Sequence, residues 1–255
     1  MQKADHHKIA ENYDKGRPLS GQITDAWLKA VSRLAKAPRG AKVLDIGCGT
    51  GRFALPFAEK LGFKVTGADF SKEMLAKAQE KDTSHLVTWE VQDAQSLTYP
   101  DHTFDVVFMS HLLHHCDDPD KVLRECYRVL KAPGVVLVRY GALEQIEHDA
   151  EHTFFPEALE IDKARVFTFA RMDSCITQAG FTKLKSEVIT QRYYATGYDF
   201  LKVETLKGNS VLTMISPAAF EKGITKLREY VASHPNYPWL LDSSMTLTAG
   251  HKGKK

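Results

Sequence analysis

Two hydrophobic rhythms alternate along residues 1–140. Five short apolar runs have the length and β-branched content of buried strands: "KVLDI" (42–46), "KVTGA" (64–68), "LVTWEV" (86–91), "DVVFMS" (105–110) and "VVLVRY" (135–140). Helical spacing fills most of the intervals. It predicts helices over 52–61 and over "SKEMLAKAQEK" (71–81), the latter capped by Ser71. A third opens at Asp118-Pro119, cap then first helical residue, and keeps Val122, Leu123, Cys126, Val129 and Leu130 on one face before "KAPG" (131–134) ends it. Strand–helix alternation at this spacing predicts a parallel sheet, right-handed crossovers and helices on both faces.

After Tyr140 the rhythm changes. Residues 144–165 are polar and acidic, 167–181 read as a helix ending at Gly180, and "KLKSEVIT" (183–190) reads as a strand. A mostly helical insertion follows, including 217–232 with Phe220, Ile224, Leu227 and Val231 on one side. "SMTLTAG" (244–250) reads as a last strand. A 43% hydrophobic content over 255 residues supplies ample core, and a formal charge of +2 calls for no polyanionic partner. Lys252, Lys254 and Lys255 read as a solvated basic tail. No run approaches the ~20 apolar residues of a membrane span, and "MQKADHHKIAENYDKGRP" lacks a secretory core. Cys48, Cys116, Cys126 and Cys175 have no C-x-x-C spacing, so reduced thiols in a cytoplasmic protein are expected.

The first strand runs into Gly47-Cys48-Gly49-Thr50-Gly51, where open parallel sheets admit ligands. A dinucleotide turn reads G-x-G-x-x-G, but here the sixth position is Arg52 and the third glycine comes one residue early. Asp45 suits a cationic ammonium better than a pyrophosphate. Asp69, 22 residues after Gly47, ends the second strand where a carboxylate accepts ribose hydroxyls; supporting the next helix cap is the other reading. Asp93-Ala94 follows the third strand and Ser110 ends the fourth, so four chemically useful positions fall on successive strand ends.

In series, "VLDIGCGTGRF", "VTGADFSKEMLAKA", "VQDAQSLTYPDHTFDVVFMSHLLHHCDDP" and "LRECYRVLKAPGVVLVRY" resemble the motifs of class I S-adenosylmethionine-dependent methyltransferases, small-molecule branch, of the ubiquinone/menaquinone-biosynthesis type. The resemblance covers roughly residues 38–140. It implies a doubly wound α/β fold with a mostly parallel seven-stranded sheet and helical additions over the acceptor site. The whole chain, 1–255, would then be one domain, with a helical lid at 1–37, a cofactor core at 38–140 and an acceptor half at 141–255. S-adenosylmethionine is the implied cofactor. Asp45, Gly47, Cys48, Gly49 and Gly51 would hold its methionine part, Asp69 its ribose, and Phe70 and Met74 would pack near the adenine. Asp93 and Ala94 would read the adenine edge and Ser110 would close the floor. Tyr13 and Arg17 would cover the cofactor, or form an ordinary surface helix.

"HLLHHCDD" (111–118) has ligand residue types, but its spacing does not make a closed four-ligand site, and no metal is expected. His114 is a general-base candidate because imidazole titrates near neutrality; packing beneath the cofactor is the alternative. Seven acids and no Lys or Arg lie between Gly141 and Asp162, a pattern of solvated helix faces that, at a pocket rim, would disfavour nucleic acid. Aromatic residues from Phe154 to Trp239 are expected mostly in the core, a few lining a small-molecule cavity. The expected reaction is methyl transfer to an O, N, S or C nucleophile of a small molecule, with no membrane span and the oligomeric state left open. An RNA or protein methyltransferase, and a cofactor-binding protein without methyl transfer, remain the alternatives.

Overall fold

The computed structural model describes residue 14 and residues 19–192, 194–207, 209–235 and 242–253. All seven expected strands form: β1 (Lys42–Ile46), β2 (Lys64–Asp69), β3 (Val87–Val91), β4 (Phe104–Ser110), β5 (Leu130–Tyr140), β6 (Thr182–Arg192) and β7 (Asp242–Lys252). Their order is β3-β2-β1-β4-β5-β7-β6, the first five parallel and β7 antiparallel to both its neighbours. After β1 the chain adds strands on one side, then returns to place β4 on the other. That reversal opens a notch above the ends of β1 and β4.

Strand residues alternate between two cores, as a period of two requires. Leu44, Ile46, Val107, Met109, Val136 and Val138 face one side, against α4 (Pro119–Val129) and α8 (Phe169–Gln178). Val43, Val106, Phe108, Val135 and Leu137 face the other, against α1 (Gly21–Ala35) and α2 (Ala54–Leu61). The read caps hold: the Ser71 hydroxyl accepts from the Met74 amide at 3.2 Å to start α3 (Lys72–Lys81), and Asp118 accepts from the Lys121 amide at 2.8 Å to start α4. Phe57 is fully buried, with its ring 4.9 Å from Phe108, 5.9 Å from Phe53 and 6.4 Å from Phe63. Phe57→Ala is expected to cost about 3–5 kcal/mol in a urea titration, because an aromatic void there cannot collapse.

Three sequence readings need correction. β5 begins at Leu130 rather than at 135; Leu130 pairs with Phe104, and the register shifts before Val106 pairs with Val135. "KAPG" therefore bulges within an extended chain beside β4 instead of forming a stop. Lys252 is not a solvated tail residue: β7 carries it inward, where its Nζ donates to the carbonyls of Tyr127 (2.6 Å) and Leu130 (2.8 Å) at the end of α4. A cation there also opposes the negative end of the helix dipole.

The third correction concerns the acidic stretch, which folds into α5 (Leu143–Ile146), α6 (Ala150–Phe154) and α7 (Pro156–Arg165). These cover the carboxyl ends of the strands together with α9 (Gly197–Thr205) and α10 (Pro217–Ser233). A separate apolar cluster, including Phe155, Ala158, Leu212, Phe220 and Ile224, holds this layer together, with Phe155 stacked on Phe220 at 5.9 Å. Because that cluster fixes their backbone, Glu151 and Asp162 are driven inward and buried rather than solvated. Among the described residues no helix is long and apolar enough to cross a membrane.

Candidate cofactor and acceptor site

The turn after β1 is tied to β2. The Gly47 and Cys48 amides donate to the Ala68 carbonyl at 2.7 and 3.1 Å, and Gly51 closes onto the Cys48 carbonyl at 3.0 Å. All three glycines have positive φ, from 55° to 76°. Their surroundings differ. A Cβ on Gly47 would lie 2.7 Å from Leu112 and one on Gly51 2.6 Å from Trp89, whereas one on Gly49 would meet nothing within 4 Å. Packing requires the outer two; open space faces the middle one.

Asp69 clasps this turn. Its Oδ2 accepts from the Gly49 amide at 2.8 Å and its Oδ1 from the Ser71 amide at 2.9 Å. Each oxygen has a second lone pair, so cap support and ribose binding are compatible roles. Asp45 is 2% exposed, and its Oδ2 has no hydrogen-bond partner among the described residues. Burial, reinforced by the Asp69 charge, pushes its carboxyl up to about 8. Burial also raises the Cys48 thiol far above its ordinary value, so it is not a thiolate nucleophile.

A cavity of about 380 Å³ opens from this turn. Asp45, Gly47, Cys48, Gly49, Ser110 and His114 line its first end. Arg139, which the sequence reading did not single out, also lines it; Nη1 donates to the Ser110 hydroxyl at 3.0 Å, and the guanidinium lies 4.4 Å from the Trp27 ring and 5.3 Å from Phe53. The signal was an arginine inside the otherwise apolar "VVLVRY". The His114 ring centroid lies 4.1 Å from that of His115.

The far end is polar. Asp149, Glu151, His152, Asp162, Arg165 and Glu204 line it, with Tyr194 and Phe200 as aromatic walls. His152 contacts the Ile146 carbonyl at 2.8 Å and Asp162 at 3.1 Å, and Arg165 Nε donates to the other Asp162 oxygen at 2.8 Å. Burial opposes a charge on His152, but the Asp162 hydrogen bond and the charges of Glu151 and Asp162 raise its pKa. Glu151, His152 and Asp162 bring possible ligand atoms within 4.8 Å of one another, and Arg165 supplies a cation to the same group. Asp149 accepts from the Ser243 hydroxyl at 3.3 Å, and burial lifts it to about 6. The Asn209 amide donates to Glu151 at 2.6 Å.

Of the other sequence candidates, Phe70, Met74, Asp93 and Ala94 do not line this cavity. Phe70 is 78% exposed, Met74 is buried and Ala94 packs on the core. Asp93 accepts from the Gln95 amide at 2.8 Å, turning the chain after β3. Tyr13 and Arg17 lie outside the described residues. Asp14, between them in sequence, accepts from the Thr50 hydroxyl at 2.6 Å and from Lys81 at 2.7 Å, which places this one residue against the glycine turn.

The family model described as a methyltransferase domain matches residues 44–138, the segment that builds β1 to β5 and the glycine turn. This chain carries a methyltransferase domain. Outside that core the likeness thins. The ubiquinone/menaquinone biosynthesis C-methyltransferase UbiE of Bdellovibrio bacteriovorus is 39% identical over 155 residues, 59% of this chain and 66% of that protein. The match thus spans slightly less than two thirds of the relative's length. The methyltransferase fold itself extends further. An Anabaena variabilis structure assigned to methyltransferases of an antibiotic biosynthesis pathway superposes with a TM-score of 0.76, covering 91% of this chain and 98% of that one at 19% identity. The SpnF cyclase superposes with a TM-score of 0.63, covering 94% and 84% at 26% identity.

Proposed function

We propose that this protein binds S-adenosylmethionine at the glycine turn and methylates a small molecule held beneath α6, α7 and α9. One observation carries the reading: a single cavity joins the open face of Gly49 and the partnerless Asp45 oxygen to a separate polar chamber. The residues fit the group. Asp45 offers a buried carboxylate to an ammonium, Gly49 leaves room for close backbone approach, and the Asp69 oxygens stand at the end of β2. When bound, S-adenosylmethionine supplies a methyl group already activated on a sulfonium. The protein's part is then to align the acceptor and exclude water, which the helical layer over the strand ends does. The acid-lined chamber disfavours a nucleic-acid backbone as acceptor.

Calorimetry with S-adenosylhomocysteine and with NAD, followed by transfer of labelled methyl to an acceptor panel, tests this. Binding of NAD at comparable strength would overturn it. The cyclase with this fold makes the second arm necessary: cofactor binding with no transfer to any acceptor would favour a different chemistry. His114→Ala is expected to lower turnover and leave S-adenosylhomocysteine affinity within about twofold, since general-base catalysis contributes to the chemical step. Equal loss of both would make His114 a packing residue.

A further inference from the structure

Three side chains at the far end of the cavity are arranged as a set. Glu151 and His152 come from α6 and Asp162 from α7, and each offers a ligand atom within 4.8 Å of the other two. They are 9%, 7% and 4% exposed, yet all three line the cavity. The spacing in 111–118 gave no ground to expect a metal in that segment; these three residues are gathered instead by the turn from α6 into α7.

The outer atom of each is already held. The Ile146 carbonyl lies 2.8 Å from His152 Nδ1, which fixes a proton on that nitrogen because a carbonyl can only accept. Asn209 donates to Glu151 Oε2 at 2.6 Å, and Arg165 Nε donates to Asp162 Oδ1 at 2.8 Å. Partners of this kind, a carbonyl behind an imidazole and donors behind carboxylates, orient metal ligands. Arg165 thus sits on the outer oxygen of Asp162. Its inner oxygen, Oδ2, stands 3.1 Å from His152 Nε2. Two ligands about 2.1 Å from one ion, at tetrahedral or octahedral angles, stand roughly 3.0–3.4 Å apart. A proton bridges that pair when no ion does. Glu151, within 4.8 Å of both, joins them through a side-chain rotation.

We propose that Glu151, His152 and Asp162 bind a divalent first-row cation through one nitrogen and two oxygens, and that the ion's open positions hold an oxygen of the acceptor. One imidazole with two carboxylates suits Mn²⁺ or Zn²⁺ better than Mg²⁺, which favours oxygen and water, or Cu(I), which favours sulfur. Three protein ligands leave coordination positions open, and these ligands stand on the wall of the space where the acceptor is proposed to lie. The ion's role toward the acceptor rests on the methyltransferase reading above; the ion site itself does not.

Mn²⁺ alone, titrated by calorimetry into the chelator-treated full chain, is expected to bind at one site and to raise the melting temperature. The ion displaces the proton between His152 and Asp162, so the heat should vary with buffer ionisation enthalpy. His152→Ala and Glu151→Gln are expected to weaken binding at least about a hundredfold, and Asn209→Ala, which only supports Glu151, about tenfold. His115→Ala controls for capture by 111–116 and should change nothing. If a variant does not fold, anomalous scattering from a Mn²⁺-soaked wild-type crystal locates the ion. Absence of both Mn²⁺ and Zn²⁺ binding, binding that survives His152→Ala and Glu151→Gln, or an ion located elsewhere overturns the site. For the acceptor role, acetohydroxamate, a small two-oxygen ligand, is titrated into protein saturated with S-adenosylhomocysteine. It is expected to bind only when Mn²⁺ is present and not to His152→Ala; equal binding without the ion overturns that role. Failure of S-adenosylhomocysteine to bind removes the methyltransferase reading instead and leaves the ion site standing.

Discussion

Gly49→Val is expected to remove S-adenosylhomocysteine binding altogether in a calorimetric titration. Its Cβ would project into empty space on the cavity wall, where the proposed ligand must come close. Valine at a φ of 55° also strains the backbone, by about 1–2 kcal/mol for a left-handed L-residue, so a moderate fall in melting temperature accompanies the loss. Gly51→Ala is the necessary comparison. That Cβ would sit 2.6 Å from the Trp89 ring, away from the cavity, and the expected result is a larger melting shift than affinity shift. Unchanged affinity in Gly49→Val would move the cofactor away from this turn. Gly49→Ala gives the graded case, with the same strain and less obstruction.

Asp45→Asn should weaken binding while stabilising the free protein. A buried carboxylate facing an ammonium, once removed, costs about 3 kcal/mol, roughly a hundredfold in affinity. In the free protein the folded-state value of about 8 lies above the ordinary 3.8, chiefly through burial. The folded state therefore holds an extra proton between those values. Asp45's contribution to stability is full below the unfolded value and is lost as pH rises through about 8. The melting temperature of Asp45→Asn should thus gain on wild type as pH is raised from about 5 to about 8. Cofactor binding to wild type should release a proton, visible as a calorimetric heat that varies with buffer ionisation enthalpy, and the variant should show none. A pH-independent gap in melting temperature would mean that Asp45 is already ionised in the free protein.

β1 and β4 were legible because each is a nearly continuous buried run, and Ser71 and Asp118 do locally what their types suggest. "KAPG" misled because turn residues also occur in bulges, and only the pairing of Leu130 with Phe104 reveals the longer strand. The glycine turn was legible as a ligand turn, but not the division of labour within it. That Gly47 and Gly51 yield to Leu112 and Trp89 depends on side chains 65 and 38 positions away in sequence. The acidic segment read as solvent-facing because nothing local shows that Phe155 and Phe220, far apart in the chain, would stack and turn Glu151 and Asp162 inward. Lys252 failed for the same reason, since its partners lie on α4. Arg139 had a local signal, a lone charge in an apolar strand, and its aromatic bed of Trp27 and Phe53 explains why it is tolerated there.

Of the seven strands described, the last in chain order is not an edge. β7 lies between β5 and β6, antiparallel to both, and its Ser243 and Met245 form part of the cavity wall. During synthesis β1 to β5 can assemble side by side as they emerge, while β6 must wait without a neighbour until β7 follows some fifty residues later. Such a non-local pairing is slow to form and leaves an open strand exposed in the interval. The nascent chain would therefore possess a formed glycine turn before it has a closed acceptor chamber, so the methyl donor's half of the site matures first. A pause in translation near the helical insertion would lengthen the period in which β6 is open to pairing with another chain.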